Sequence, residues 1–287
     1  MCEDLTHHAI ILNISLAMFK EDNELVGMLS GYFDESGTDR GNRTAVVAGY
    51  VGSDFQWEKF VARWTKMLNE AHVEILHRSD LENFRGEFSQ ANGWNPSRRT
   101  DLVRKAHSII KTCTYSAIGS TVVKDDFDSV MPNWAKQLFG GVYGWCAFWC
   151  VLAMRGWCEE RHHGDAIAWV FESGKDTHGI GEMFKALRWP ELSSSYRINS
   201  VRFAGKELKP LQAADALAYE LFKHTENQIL DGGVRRPRQS ALDLFRRQDG
   251  RYVTFWDKER LTDWLAECDR ERPFGEISMD QLERALR

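Results

Sequence analysis

The chain has 287 residues, 43% of them hydrophobic and only 6 of them Pro, which is enough apolar material for a substantial core and excludes a disordered chain. A formal net charge of -5 excludes a protein coated with basic residues, although a group of site acids lowers such a total while local basic patches still hold phosphates. The 6 cysteines include no Cys-x-x-Cys pair, which argues against a zinc ribbon, and Met1-Cys-Glu-Asp lacks the basic region that precedes a signal peptide's apolar stretch, which predicts a cytoplasmic chain with reduced thiols.

Residues 1–26 read as an N-terminal extension whose apolar run packs as a helix. Met28 to Asp34 alternates as a strand and enters a turn-forming cluster, Glu35 to Gly41, before a second strand from Thr44 to Val51, so a hairpin is expected. Ser53-Asp-Phe-Gln56 has the capping-box pattern, and Trp57, Phe60, Val61, Trp64 and Leu68 form the apolar face of a helix to about Ala71. Val73 to Leu76 suggests a short strand. A polar stretch from Gly86 to Ser97, a helix from Arg98 to Lys111 and a strand from Tyr115 to Val123 follow. One long helical region is expected from Asn133 to about His162. Its stretch from Leu138 to Met154 carries no charge but is shorter than the ~20 residues that span a bilayer, and its aromatics are spread throughout, so no membrane span is expected. Such a helix must be covered on most sides, either centrally in the domain or in a homodimer. Its cysteines, Cys146, Cys150 and Cys158, fit the role of small buried hydrophobes better than that of metal ligands.

Ala166 to Glu172 is a further strand, followed by a helix from Ile180 to Leu187, a strand from Tyr196 to Phe203 and the helix that contains Asp215. Strands interleaved with helices after a hairpin predict an α/β domain over 27–226, with a mixed sheet flanked by helices. Residues 227–287 read as a C-terminal extension ending in a helix opened by Ser278-Met-Asp-Gln281.

Three acids stand where a carboxylate needs a partner. Leu211, Asp215, Ala218 and Phe222 are spaced 4, 3 and 4 apart on one helical face. An ionised carboxylate on that face requires a cation, a donor or a wet cleft, or else the helix is turned so that Ala214, Leu217 and Leu221 face inward. Asp34 and Glu172 each close a strand, where acids also occur as ordinary turn residues. Converging carboxylates suit a divalent metal. Arg197, Arg202, Lys206 and Lys209, just before the Asp215 helix, form one basic patch; Arg235, Arg236, Arg238, Arg246, Arg247 and Arg251 form another.

Tyr32-Phe-Asp-Glu-Ser-Gly37 resembles the opening strand of a bacterial family, domain of unknown function 3800, and Phe203-Ala-Gly-Lys-Glu-Leu-Lys-Pro-Leu-Gln-Ala-Ala-Asp-Ala-Leu-Ala-Tyr219 resembles its closing segment. The resemblance covers roughly residues 28 to 226. It implies an RNase H-like fold in which Asp34 and Asp215 match the family's two best-marked acids. Glu172 stands where the family more usually has Asp. The resemblance also suggests a His near His77, with Asp80 or Glu82 as a further ligand; a loop His beside helix-capping acids is the alternative. Glu35 and Glu207 are secondary candidates.

On this reading Asp34, Glu172 and Asp215 are both the catalytic and the metal-binding residues, and hard carboxylate oxygens suit Mg²⁺ or Mn²⁺. Two ions about 3.5 to 4 Å apart would activate water and stabilise the leaving oxygen of a phosphodiester. Asp34 would bridge the ions, with Glu172 on one and Asp215 on the other. Gln212, Lys206, Arg202 and His77 are the substrate-side candidates, Lys206 and Arg202 against phosphate. The expected function is a metal-dependent nuclease acting on nucleic acid. The alternatives are a phosphoesterase on a smaller substrate and a non-catalytic RNase H-like binding module of a bacterial defence or mobile-element system.

Overall fold

A computed structural model describes residues 28–39, 41–161, 164–174, 177–187, 195–231, 238, 240, 241, 244 and 252–271. The hairpin is present. Strand β1 (Leu29–Ser36) pairs antiparallel with β2 (Thr44–Ser53), in a register that places Asp34 opposite Ala48. Gly37 makes the turn possible: its φ of +84° is open mainly to glycine, and a Cβ there would overlap the Thr44 carbonyl oxygen.

Strands β3 (Ser116–Val123), β4 (Ile167–Glu172), β5 (Ile198–Ala204) and β6 (Val253–Trp256) complete a six-stranded mixed sheet of order β5-β4-β1-β2-β3-β6. The β1–β4, β4–β5 and β3–β6 pairs are parallel and β2 is antiparallel to both its neighbours, so β2 alone runs against the rest.

Helices cover both faces. Helix α1 (Asp54–Ala71) starts where expected, with the Ser53 hydroxyl accepting from the Gln56 N–H. It joins α3 (Pro96–Cys113) and α8 (Lys209–Asp231) on one face, where Trp57, Phe60, Trp64, Ile110, Leu211 and Leu217 pack on Tyr32, Val46, Ala48 and Tyr50. The other face carries α4 (Lys124–Val130), α5 (Asn133–Phe139), α6 (Val142–Glu160), α7 (Thr177–Leu187) and α9 (Lys258–Glu271), packed on Phe33, Val47, Ile118, Trp169 and Phe171. A short helix, α2 (Arg78–Asn83), leads into two 3₁₀ turns, Gly86–Phe88 and Gln90–Asn92.

The structure corrects three expectations. Val73 to Leu76 forms no strand; Leu76 instead donates its N–H to the buried Gln212 side chain. The long helix from Asn133 is two helices, α5 and α6, bent by 66° at Gly140 and Gly141. The C-terminal segment is no mere appendage, because α8 runs through the 226/227 boundary and β6 then extends the sheet beside β3. Among the described residues no single helix is long and apolar enough to cross a membrane; α5 and α6 satisfy length and composition only as a bent pair, and most of α6 is buried against the sheet. The N-terminal extension and the capping box at Ser278 lie outside the described residues.

Candidate functional site

Register brings two of the three acids together. Tyr32 and Phe33 of β1 lie beside Val170 and Phe171 of β4, so the next residues along these parallel neighbours, Asp34 and Glu172, reach the same level on the same face. That face is the one covered by α8, which presents Asp215 over the strand ends. Asp34 is 2% exposed and Asp215 7% exposed, while Glu172 is half-buried.

Lys206 stands at the meeting point. Its ammonium lies 2.9 Å from Glu172 Oε2, 3.0 Å from Asp215 Oδ1 and 3.5 Å from Asp34 Oδ2. Burial on its own would lower the lysine's pKa, but Asp215, Asp34 and Glu172 together outweigh it and hold the group above the ordinary lysine range. The sequence signalled Lys206 only as a phosphate contact, and its place among the acids follows from the β5–α8 connection folding back over the strand ends.

Asp34 is also shifted upward, in its case toward the neutral form. Burial raises its pKa well above the usual carboxylate range; carboxyl hydrogen bonding with Glu172 and the charges of Asp215 and Glu172 add to the rise, and Lys206 opposes it. When ionised, Asp34 Oδ1 accepts from the Glu35 N–H at 2.7 Å and Oδ2 has no hydrogen-bond partner. When protonated, Oδ2 can donate to Glu172.

The segment before α2 closes one side. The Arg78 N–H donates to Asp215 Oδ2 at 2.6 Å, and His77 places Nε2 3.6 Å from Asp215 Oδ1 with Nδ1 3.0 Å from Asp80 Oδ2. His77 thus reaches the acids, and Asp80 orients its ring from behind. Glu82 lies elsewhere, bound to Arg78 at 2.8 Å and Arg238 at 2.9 Å. Arg78 also pairs with Glu220 at 2.7 Å, both essentially buried. Sequence reasoning missed this pair, although Glu220 was visible as a second acid in the apolar run around Asp215. Arg238 turns inward to Glu220 and Glu82, and the other arginines of its patch lie outside the described residues.

Gln212 sits behind the site. Its Oε1 accepts from Trp64 Nε1 at 2.8 Å and the Leu76 N–H at 3.0 Å, and its Nε2 donates to the Lys206 carbonyl at 2.7 Å. A side chain so engaged and 1% exposed holds the Lys206 turn to α1 and to the approach of His77; this corrects the expectation that it meets substrate or water. Arg202 is exposed on the edge strand β5, beside Val170 on the site's face. Glu35 alternates to the opposite face, and Glu207 is exposed and accepts from the Gly205 N–H.

Three carboxylates focused on one cationic position are the chemical content of the site. Among the described residues, no group of three or more His, Cys, Asp or Glu side chains is placed so that it could hold a metal ion. The cation the acids surround is the lysine's own. No family model, curated protein or solved structure matches this chain.

Proposed function

We propose that the chain is a divalent-metal-dependent nuclease of RNase H-like fold, related to the domain of unknown function 3800 family. The observation that carries the reading is the convergence of Asp34, Glu172 and Asp215 on one cation position. They do so outside the carboxyl ends of two adjacent parallel strands, where open α/β sheets bind ligands. The order β3-β2-β1-β4-β5 with β2 alone reversed supports the RNase H-like assignment, with β6 as an added strand.

The chemistry of the donors is what supports a hard divalent ion. These donors are all carboxylate oxygens, one of them is buried without a hydrogen bond, and an ammonium already serves as a stand-in cation. Mg²⁺ or Mn²⁺ held there would polarise a phosphodiester and lower the pKa of water. Asp34, the most deeply set acid, would anchor the ion, with Glu172 and Asp215 closing on it from β4 and α8. The Asp80–His77 pair would hold or deliver a proton at the rim. Arg202 on the open edge would attract the phosphate backbone.

A non-catalytic binding module is the second reading, and one observation favours it: Lys206 already compensates the acids without a metal. Labelled single- and double-stranded DNA and RNA, incubated with the purified chain in Mn²⁺, Mg²⁺ or EDTA, separate the two. The nuclease cleaves at least one of these substrates, needs metal, and loses at least about a hundredfold activity in Asp34→Asn and Asp215→Asn. Undiminished cleavage by either folded variant would remove the assignment, and no cleavage by the folded wild type on any substrate favours the binding module.

A further inference from the structure

We infer that Lys206 is a displaceable internal counter-ion, which holds the cation position of the free protein and must leave it when a divalent ion binds. The inference rests on the metal reading proposed above and deepens it. Three observations carry it.

First, the ammonium touches all three acids at once, at 2.9, 3.0 and 3.5 Å, so it occupies their focus and not a flank. A divalent ion drawn to the same oxygens would stand within a few ångströms of a like charge, and the two cations exclude one another. Second, Asp34 Oδ2 is buried and lies 3.5 Å from the ammonium, farther than the oxygens of Glu172 and Asp215, so the lysine serves the deepest acid least closely. A carboxylate aimed inward and short of a donor is what an entering ion would complete. Third, Lys206 belongs to the turn Gly205 to Leu208 between β5 and α8, not to either element. Its carbonyl is held by Gln212 Nε2, which fixes the main chain, while the ammonium is carried at the end of a flexible four-carbon side chain. The displaced ammonium stays tethered beside the site by the held turn, where a phosphate oxygen is its natural partner.

The charge count points the same way. Exchanging the single charge of the lysine for the two of a divalent ion adds one positive charge to the cluster whatever the protonation of the acids, and the released ammonium is then available to the substrate.

Mn²⁺ binding to the full chain, measured by calorimetry for wild type, Lys206→Met and Lys206→Arg, tests this directly. The expected result is at least about tenfold tighter Mn²⁺ binding by Lys206→Met, which lacks the competitor, and no tightening in Lys206→Arg, which keeps the charge. Equal or weaker binding by Lys206→Met than by wild type would overturn the inference while leaving the metal site standing. Absence of Mn²⁺ binding in all three folded chains overturns the metal reading itself, and the inference with it. If Lys206→Met does not fold, the wild-type chain carries the test: amine-reactive labelling of Lys206, read by peptide mass, rises severalfold on saturation with Mn²⁺. Unchanged labelling of the metal-loaded chain refutes displacement.

Discussion

At the scale of single residues, burial decides which ionisable groups are chemically active. The same sheet supports a buried acid cluster on one face and two buried thiols on the other, with opposite consequences. Asp34 keeps charged neighbours, Lys206 among them, so its burial creates a site. Cys146 and Cys150 donate to main-chain carbonyls, Ala45 O at 3.5 Å and Val47 O at 3.4 Å, and Cys146 also meets the Ser120 side chain, so their burial silences them. Burial pushes the Cys146 thiol up to about 12 and Cys150 well above the usual thiol range. A thiol whose folded pKa exceeds its unfolded one contributes stability that is complete below the ordinary value of 9.0 and lost as pH rises through about 12. The native chain should therefore resist alkylation at Cys146 and Cys150 at pH about 8, with both thiols labelled at once in denaturant. Alkaline titration should show stability falling across that window, less steeply in Cys146→Ala once the variant's own offset is subtracted. Rapid labelling of Cys146 in the native chain would contradict this burial.

At the scale of elements, α6 shows how an uninterrupted apolar run is still divided. Gly140 has a φ of +66° and packs so closely on α7 that a Cβ would overlap the Gly179 carbonyl oxygen. The chain turns there because α7 crosses at the break, and Gly140 N–H returns to the Gln137 carbonyl to close α5. Gly140→Ala combines left-handed strain with overpacking and should cost about 3 kcal/mol in urea unfolding. A cost below about 1 kcal/mol would mean that α5 and α7 shift apart easily. Helix α8 makes the complementary point. Leu211, Ala214, Asp215, Leu217, Ala218, Leu221 and Phe222 are all buried, so the choice between two inward faces was not a choice: the helix is covered on both. Asp215 is tolerated within it because Lys206 and the Arg78 N–H meet it from opposite elements.

At the scale of the whole molecule, the C-terminal segment completes the layer that α6 begins. Trp264 of α9 lies 4.8 Å from Trp145 edge-on, and Trp256 of β6 lies 4.3 Å from Trp149, ring centre to ring centre. Aromatic faces from segments more than a hundred residues apart in sequence thus form one core. Trp264→Ala should then destabilise the entire chain by about 3 to 5 kcal/mol in a single cooperative transition. An unchanged main transition preceded by separate melting of the C-terminal segment would show that β6 and α9 are an independent unit.

Local pattern was enough for the hairpin, the Ser53 cap, the helices around Trp64 and Ile110, and the suspicion attached to Asp34, Glu172 and Asp215, because alternation, capping and a carboxylate on an apolar face are properties of short segments. It was not enough for the break at Gly140, which depends on α7 crossing there, or for β6, whose four half-buried residues become a strand by lying along β3. The partners of the acids were equally hidden. Lys206 reads as a phosphate contact and Gln212 as a substrate ligand until β1, β4 and α8 are superposed; the first then becomes the cation of the cluster and the second the strut behind it. Charge and hydrogen bonding act over a few ångströms, and residues 34, 172, 206 and 215 acquire that proximity from sheet register and helix packing, which no stretch of chain encodes alone.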